Sequence, residues 1–187
     1  QTVNPGSSDP RDDEFGIRLT EKGRRYIKYT LGVPVMETPF FLLGHAYAKL
    51  SPTYEANGWS KPYVISVGFA IVFYVLLGLY LIIGVLKRYF DDRTVTYTVL
   101  GLILATNLFY QTTYVTMSHG FLFFQHCLLI WLTVKFYDKP SWQKALGLGL
   151  TVGLITLTRV PEIVAALFAV LWGVNTFKLL QDRLQFF

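Results

Sequence analysis

YVISVGFAIVFYVLLGLYLIIGVL, Tyr63–Leu86, decides the fold class. No Asp, Glu, Lys or Arg interrupts the chain from Pro62 to Leu86, and Lys87-Arg88 closes the run. A helix needs about 20 predominantly apolar residues to cross the hydrocarbon core of a bilayer, so this stretch supplies one full span. Further along, Thr94 to Val134 is also free of charge and is long enough for two spans. With 52% hydrophobic and only 16% charged residues, against roughly 25% charged in soluble domains, the chain is not an ordinary soluble protein. The reading is an all-α, polytopic transmembrane helical protein of about five membrane helices with an extracytoplasmic N-terminal loop and an interfacial helix.

The expected organisation is a loop over residues 1–62 and a transmembrane helical domain over 63–187. Spans are expected at 63–86, 94–110, 120–134, 145–158 and 163–177. The polar lead up to Lys28 contains turn-forming Asn4-Pro5-Gly6 and Asp9-Pro10. Beyond it, Pro34 and Pro39 interrupt a helix ladder, so the apolar segment near 36–48 reads as a short helix at the water–lipid interface. The start at Gln1, without a preceding span or signal peptide, reads as an N-terminally incomplete chain.

Charge placement sets the orientation. The segments 87–93, 135–144 and 178–183 are rich in Lys and Arg, whereas 111–119 has none and 159–162 only Arg159. Basic short loops favour the cytoplasmic side, so the expected location is the inner (cytoplasmic) membrane, crossed several times, with 111–119 and 159–162 outside. The net charge of +5 is then matched by anionic lipid headgroups, and no nucleic-acid partner is implied. Cys127, the single cysteine, rules out an internal disulfide and a cysteine-based zinc site.

ITLTRVPEIVA, Ile155–Ala165, poses the chemical question, because it sets Arg159 and Glu162 between two apolar runs. Pro161 breaks a helix and suits the first turn of the next, which makes a hairpin at an outer turn near the membrane surface. Ser118, His119, Arg159 and Glu162, with Lys28, Tyr29 and Glu37, then collect on the outer side. An arginine fork with a lysine or histidine beside it suits a lipid phosphate. Each residue also has an ordinary explanation. Arg159 can complement a helix C-terminus or snorkel, His119 can be a turn residue, and Glu162 can favour a helix start. His126, mid-span, reads first as a packing hydrogen bond. Gly147, Gly149 and Gly153 include a small-xxx-small spacing, Gly149 to Gly153, of the kind that marks close helix approach. Asp12-Asp13-Glu14 reads as a solvated turn, and no motif names a metal or another cofactor.

Four stretches in order carry a family resemblance. They are YIKYTLGVPVMETPFFLLGHAYA (Tyr26–Ala48), NGWSKPYVISVGFAIVFYVLLGLYLI (Asn57–Ile82), NLFYQTTYVTMSHGFLFF (Asn107–Phe124) and ALGLGLTVGLITLTRVP (Ala145–Pro161). Together the set resembles the polytopic membrane glycosyltransferases of the C-type superfold, the group of protein mannosyltransferases, lipid A aminoarabinose transferases and their bacterial relatives. That resemblance implies transfer of a sugar from a polyprenyl-phosphate donor to an acceptor on the outer face. It further implies a donor site with Lys28, His119 and Arg159 steadying the lipid phosphate and Tyr29 shaping the entrance. The family's catalytic acid lies early in the first outer loop after the first span. Asp12, Asp13 and Glu14 do not match that context, so the acid is expected upstream of Gln1. The alternatives are a transporter or flippase-like protein, or a non-catalytic structural membrane subunit. Polar groups gathered at one interface rather than the midplane favour the transferase.

Overall fold

The computed structural model describes residues 17–19, 25–27, 30–113, 118–176, 179 and 181. The chain divides into two units, Gln1–Leu31 and Gly32–Phe187. In the first, β1 (Ile17–Leu19) pairs antiparallel with β2 (Arg25–Ile27), Arg18 opposite Tyr26. The sequence reading gave this segment no element. The short ladder gathers Ile17, Leu19, Tyr26 and Ile27, residue types that favour strands when a partner is near.

In the second unit the described elements are helical. α1 (Gly32–Leu50) is longer than the expected 36–48 segment and runs through Pro39. Pro34 sits in the first turn, where a missing N–H costs nothing. Pro39 removes one ladder bond, and packing holds the helix together across it. Phe40 lies 5.4 Å from Phe73 and 5.7 Å from Tyr74, ring centre to ring centre. α2 (Lys61–Leu86) is the long apolar helix, with Pro62 in its first turn. It is entered through an Asn57 turn whose side-chain oxygen accepts from the Trp59 and Ser60 amides at 2.9 and 3.0 Å. At about 1.5 Å per residue, its 26 residues reach roughly 39 Å.

α3 (Asp92–Leu104) is capped by Asp91, whose carboxylate accepts from the backbone N–H groups of Arg93 and Thr94 and from the Thr94 hydroxyl. The hydrogen bond from the Thr94 hydroxyl is the main reason that carboxyl lies below its ordinary range. The expected single span 94–110 is in fact two helices, α3 and α4 (Leu108–Thr113). Between them the Thr106 hydroxyl bonds back to the Leu102 carbonyl at 2.5 Å and also accepts from the Leu108 amide at 3.2 Å. A side chain that serves both strands of a turn competes with the helix ladder. α5 (Ser118–Asp138) and α6 (Trp142–Thr158) follow. A 3-10 segment, Val160–Ala165, then leads into α7 (Ala166–Leu171) where a span over 163–177 was expected.

Side-chain contacts fix the directions. Gly120 faces Ile71 and Val75, Gly78 faces Phe123 and Phe124, and Arg88 pairs with Asp138, so α2 and α5 are parallel. The α3–α4 segment therefore carries the chain back along the bundle. α6 is antiparallel to α5, with Gln125 beside Thr158 at one end and the Lys144 ammonium on the Lys135 carbonyl at the other, 2.9 Å. The 3-10 segment and α7 turn back again, since Glu162 lies by His126 while the Tyr137 hydroxyl donates to the Ala169 carbonyl. α1 is antiparallel to α2, with Gly44 on Pro62 and the Tyr74 hydroxyl donating to the Met36 carbonyl at 3.1 Å.

The core lies between α1, α2 and α5, where Met36, Ala70, Ile71, Val75, Phe121 and Phe124 are buried. A second cluster, Leu122, Leu129 and Ile155, joins α5 to α6. The opposite face of α2 is equally apolar, with Val64, Leu76 and Tyr80 each more than half exposed. A helix apolar all round is a membrane span or a fully buried helix, and α2 is not fully buried. α2 and α5 are each long and apolar enough to cross a membrane. Buried threonines bond within their own helices, Thr133 to the Leu129 carbonyl and Thr151 to that of Gly147, both at 2.7 Å. Apolar surroundings leave those hydroxyls no other partner. The close approaches fall at Gly32, Gly44, Gly78 and Gly120; among the expected glycines of α6, a Cβ at Gly147 would meet Leu132 at an ordinary 3.5 Å, and no described atom would come within 4 Å of one at Gly149 or Gly153.

Candidate functional site

α6 ends where Arg159 leaves helical geometry, at φ −148° and ψ 116°. Pro161 opens the 3-10 turn that follows, and the Glu162 amide donates to the Arg159 carbonyl at 3.0 Å. One turn thus brings the two side chains together, with a guanidinium nitrogen of Arg159 at 3.6 Å from Glu162 Oε1. The other carboxylate oxygen, Oε2, lies 3.6 Å from His126 Nε2. His126 Nδ1 donates to the Leu122 carbonyl at 2.8 Å, which turns Nε2 toward Glu162. A carboxylate therefore stands between two basic groups drawn from α5 and the end of α6.

Gln125 and Thr158 tie the two backbone segments behind this trio. Gln125 is fully buried, and its Nε2 donates to Thr158 Oγ1 and to Met36 Sδ, both at 2.9 Å. The Thr158 hydroxyl donates in turn to the Leu154 carbonyl at 2.8 Å. Gln125 Oε1 is buried without a partner among the described residues. Such a group costs about 1–3 kcal/mol, so the amide is held here by what its other end fastens. That fastening joins α1, α5 and α6 directly beneath His126 and Arg159.

Both ion contacts exceed hydrogen-bond length, and the three side chains are 29–46% exposed. Pairs of that kind contribute up to about 1 kcal/mol and are readily exchanged for another anion. The site is inset. His126 lies eight residues into α5, about 12 Å from its start. The sequence reading put Glu162 at a surface turn and His126 mid-span, whereas antiparallel packing of α5 and α6 brings them to one depth. Of the expected donor-site residues, Arg159 lies in the cluster. His119 is exposed in the first turn of α5, and the imidazole that meets Glu162 is that of His126. Lys28 and Tyr29 lie outside the described residues. Among the described residues no group of three or more His, Cys, Asp or Glu is placed to hold a metal.

A bundle with apolar outer faces and an inset Arg–Glu–His cluster defines an all-α membrane protein. The sequence profile of the dolichyl-phosphate-mannose-protein mannosyltransferase family matches residues 59–186, and the chain belongs to that family of membrane glycosyltransferases. No curated protein and no solved structure matches it. The matched region runs from the turn before α2 and contains His126, Arg159 and Glu162, while α1 precedes it.

Proposed function

We propose that this chain is part of a glycosyltransferase that takes a sugar from a polyprenyl-phosphate donor and passes it to an acceptor on the outer face of the inner membrane. The observation that carries the reading is Arg159, a half-exposed guanidinium inset in a membrane bundle and, among the described residues, paired with a loosely held carboxylate. A lipid phosphate offers that fork a better partner than a carboxylate held at 3.6 Å. Lys28 and His119 supply further cations and Tyr29 the entrance, and His126 joins them through its contact with Glu162. In the reaction the acceptor hydroxyl forms the new bond to the sugar's anomeric carbon as its proton passes to a carboxylate base. The bond from that carbon to the phosphate oxygen breaks, and the phosphate leaves with the electron pair. Alternating helix directions from α2 to α7 support five passes, with the basic segments 87–93, 135–144 and 178–183 in the cytoplasm.

The test is sugar transfer by the full-length protein in proteoliposomes, with a radiolabelled polyprenyl-phosphate sugar outside. Labelled acceptor is the expected product. Transfer from a nucleotide sugar but not from the lipid-linked donor would overturn the reading.

A further inference from the structure

A second feature lies well away from the Arg159 cluster. α1 and α2 flank a groove of ≈ 470 Å³ beside their contact at Gly44. Phe40, Leu43, Ile65 and Phe69 form its walls, and Tyr47, Tyr54 and Lys61 line it as well. Lys61 opens α2, and Phe69 lies eight residues, about 12 Å, further along the same helix. The groove is thus graded, with a cation and two phenols toward the helix start and apolar walls toward the bundle. Lys61 is exposed, and no carboxylate of the described residues pairs with it. Glu55, the nearest acid in sequence, accepts from the Asn57 amide instead. Trp59, 73% exposed, and Tyr47, 59% exposed, stand at the same end. Aromatic side chains of this kind settle at the headgroup level of a bilayer.

We infer that this groove holds one acyl chain of an anionic glycerophospholipid, with its phosphate on Lys61. An amphiphile matches both ends of the groove at once, and the volume lies within the range of single-ligand clefts, about 300–1,000 Å³. The occupant is distinct from the sugar donor. Met36, which touches Gln125 beneath the Arg159 cluster, is level with Tyr74 of α2. Tyr74 is 13 residues from Lys61, about 20 Å along the helix. A headgroup seated on Lys61 therefore cannot also reach Arg159.

Native mass spectrometry of the whole chain in detergent, titrated with phosphatidylglycerol or phosphatidylcholine, tests this. One phosphatidylglycerol should bind in preference to phosphatidylcholine. Lys61→Ala should weaken that lipid about fivefold, the effect of one basic residue near a lipid surface, and leave phosphatidylcholine unchanged. Ile65→Trp, at a position 60% exposed and so outside the core, should block both lipids without lowering Tm. Retained lipid in Ile65→Trp, or an unchanged headgroup preference in Lys61→Ala, would overturn the inference. So would displacement of the phospholipid by stoichiometric polyprenyl phosphate, because the groove would then belong to the donor.

Discussion

Arg159→Ala is expected to lower sugar transfer about ten- to hundredfold in the full-length protein, with most of the loss in kcat. A hydrogen bond to a charged group contributes about 1.5–3 kcal/mol, and each 1.4 kcal/mol is tenfold. The donor phosphate gains negative charge as its bond to the sugar breaks, so the guanidinium binds the transition state more tightly than the ground state. That difference places the loss in kcat. Arg93→Ala is the control. Its side chain stands over the Tyr97 ring, 5.9 Å from the ring centre, near the opposite end of the bundle, and transfer should not change. Equal activity in the two variants would remove Arg159 from the donor site. Glu162→Gln sharpens the result, because it keeps the 3-10 turn while withdrawing the carboxylate that competes for Arg159. The donor KM should fall in that variant.

Gly32→Val should unsettle the bundle without touching a charged group. A Cβ at Gly32 would lie 2.2 Å from Thr158 Oγ1 and 2.5 Å from the Thr158 backbone nitrogen and Cα. Backbone cannot swing aside as a side chain can, so α1 must separate from the end of α6. Replacing glycine within a helix favours the helix by up to about 1 kcal/mol. Overpacking a tight contact costs about 1–3 kcal/mol and sometimes more, and here the clash wins. A drop in Tm of about 5–10 °C is expected for a unit of this size. Gly149→Ala, where no described atom lies within 4 Å, should be neutral or slightly stabilising. An unchanged Tm for Gly32→Val would mean that α1 does not rest on Thr158. The separation would also pull Met36 from Gln125, so transfer should fall with Tm in the same variant.

Much of the fold could be read along the chain. Uninterrupted apolar length marked α2 and α5, and Lys87-Arg88 marked the end of α2. Pro161 marked the break after α6, because a proline limits the backbone wherever it stands. Local patterns were less informative where a neighbour supplied the balance. Pro39 looked like a helix breaker, yet Phe40 packed on α2 carries α1 through it. The break between α3 and α4 turned on the Thr106 hydroxyl, whose choice of partner the apolar pattern does not show. The small-residue spacing in α6 resembled a close contact, but the contacts formed at glycines facing α2, α5 and Thr158.

The candidate site divides in the same way. Arg159 stood out because a charge amid apolar residues is costly and needs a reason. Glu162 stood out with it, three residues on. His126 was visible as a mid-span polar residue, but a packing hydrogen bond was its ready explanation, and the Leu122 carbonyl does accept from its Nδ1. What the residue order determined by itself was class: enough uncharged length to live in a bilayer, and an arginine and glutamate at a forced turn. What only tertiary structure decided was company, for α5 and α6 run antiparallel and so bring His126 to the depth of Glu162 and Gln125 to Thr158. Apolar burial follows from composition summed over a segment. A contact between residues far apart in the chain depends on the register of two helices, which the packing of their facing side chains sets.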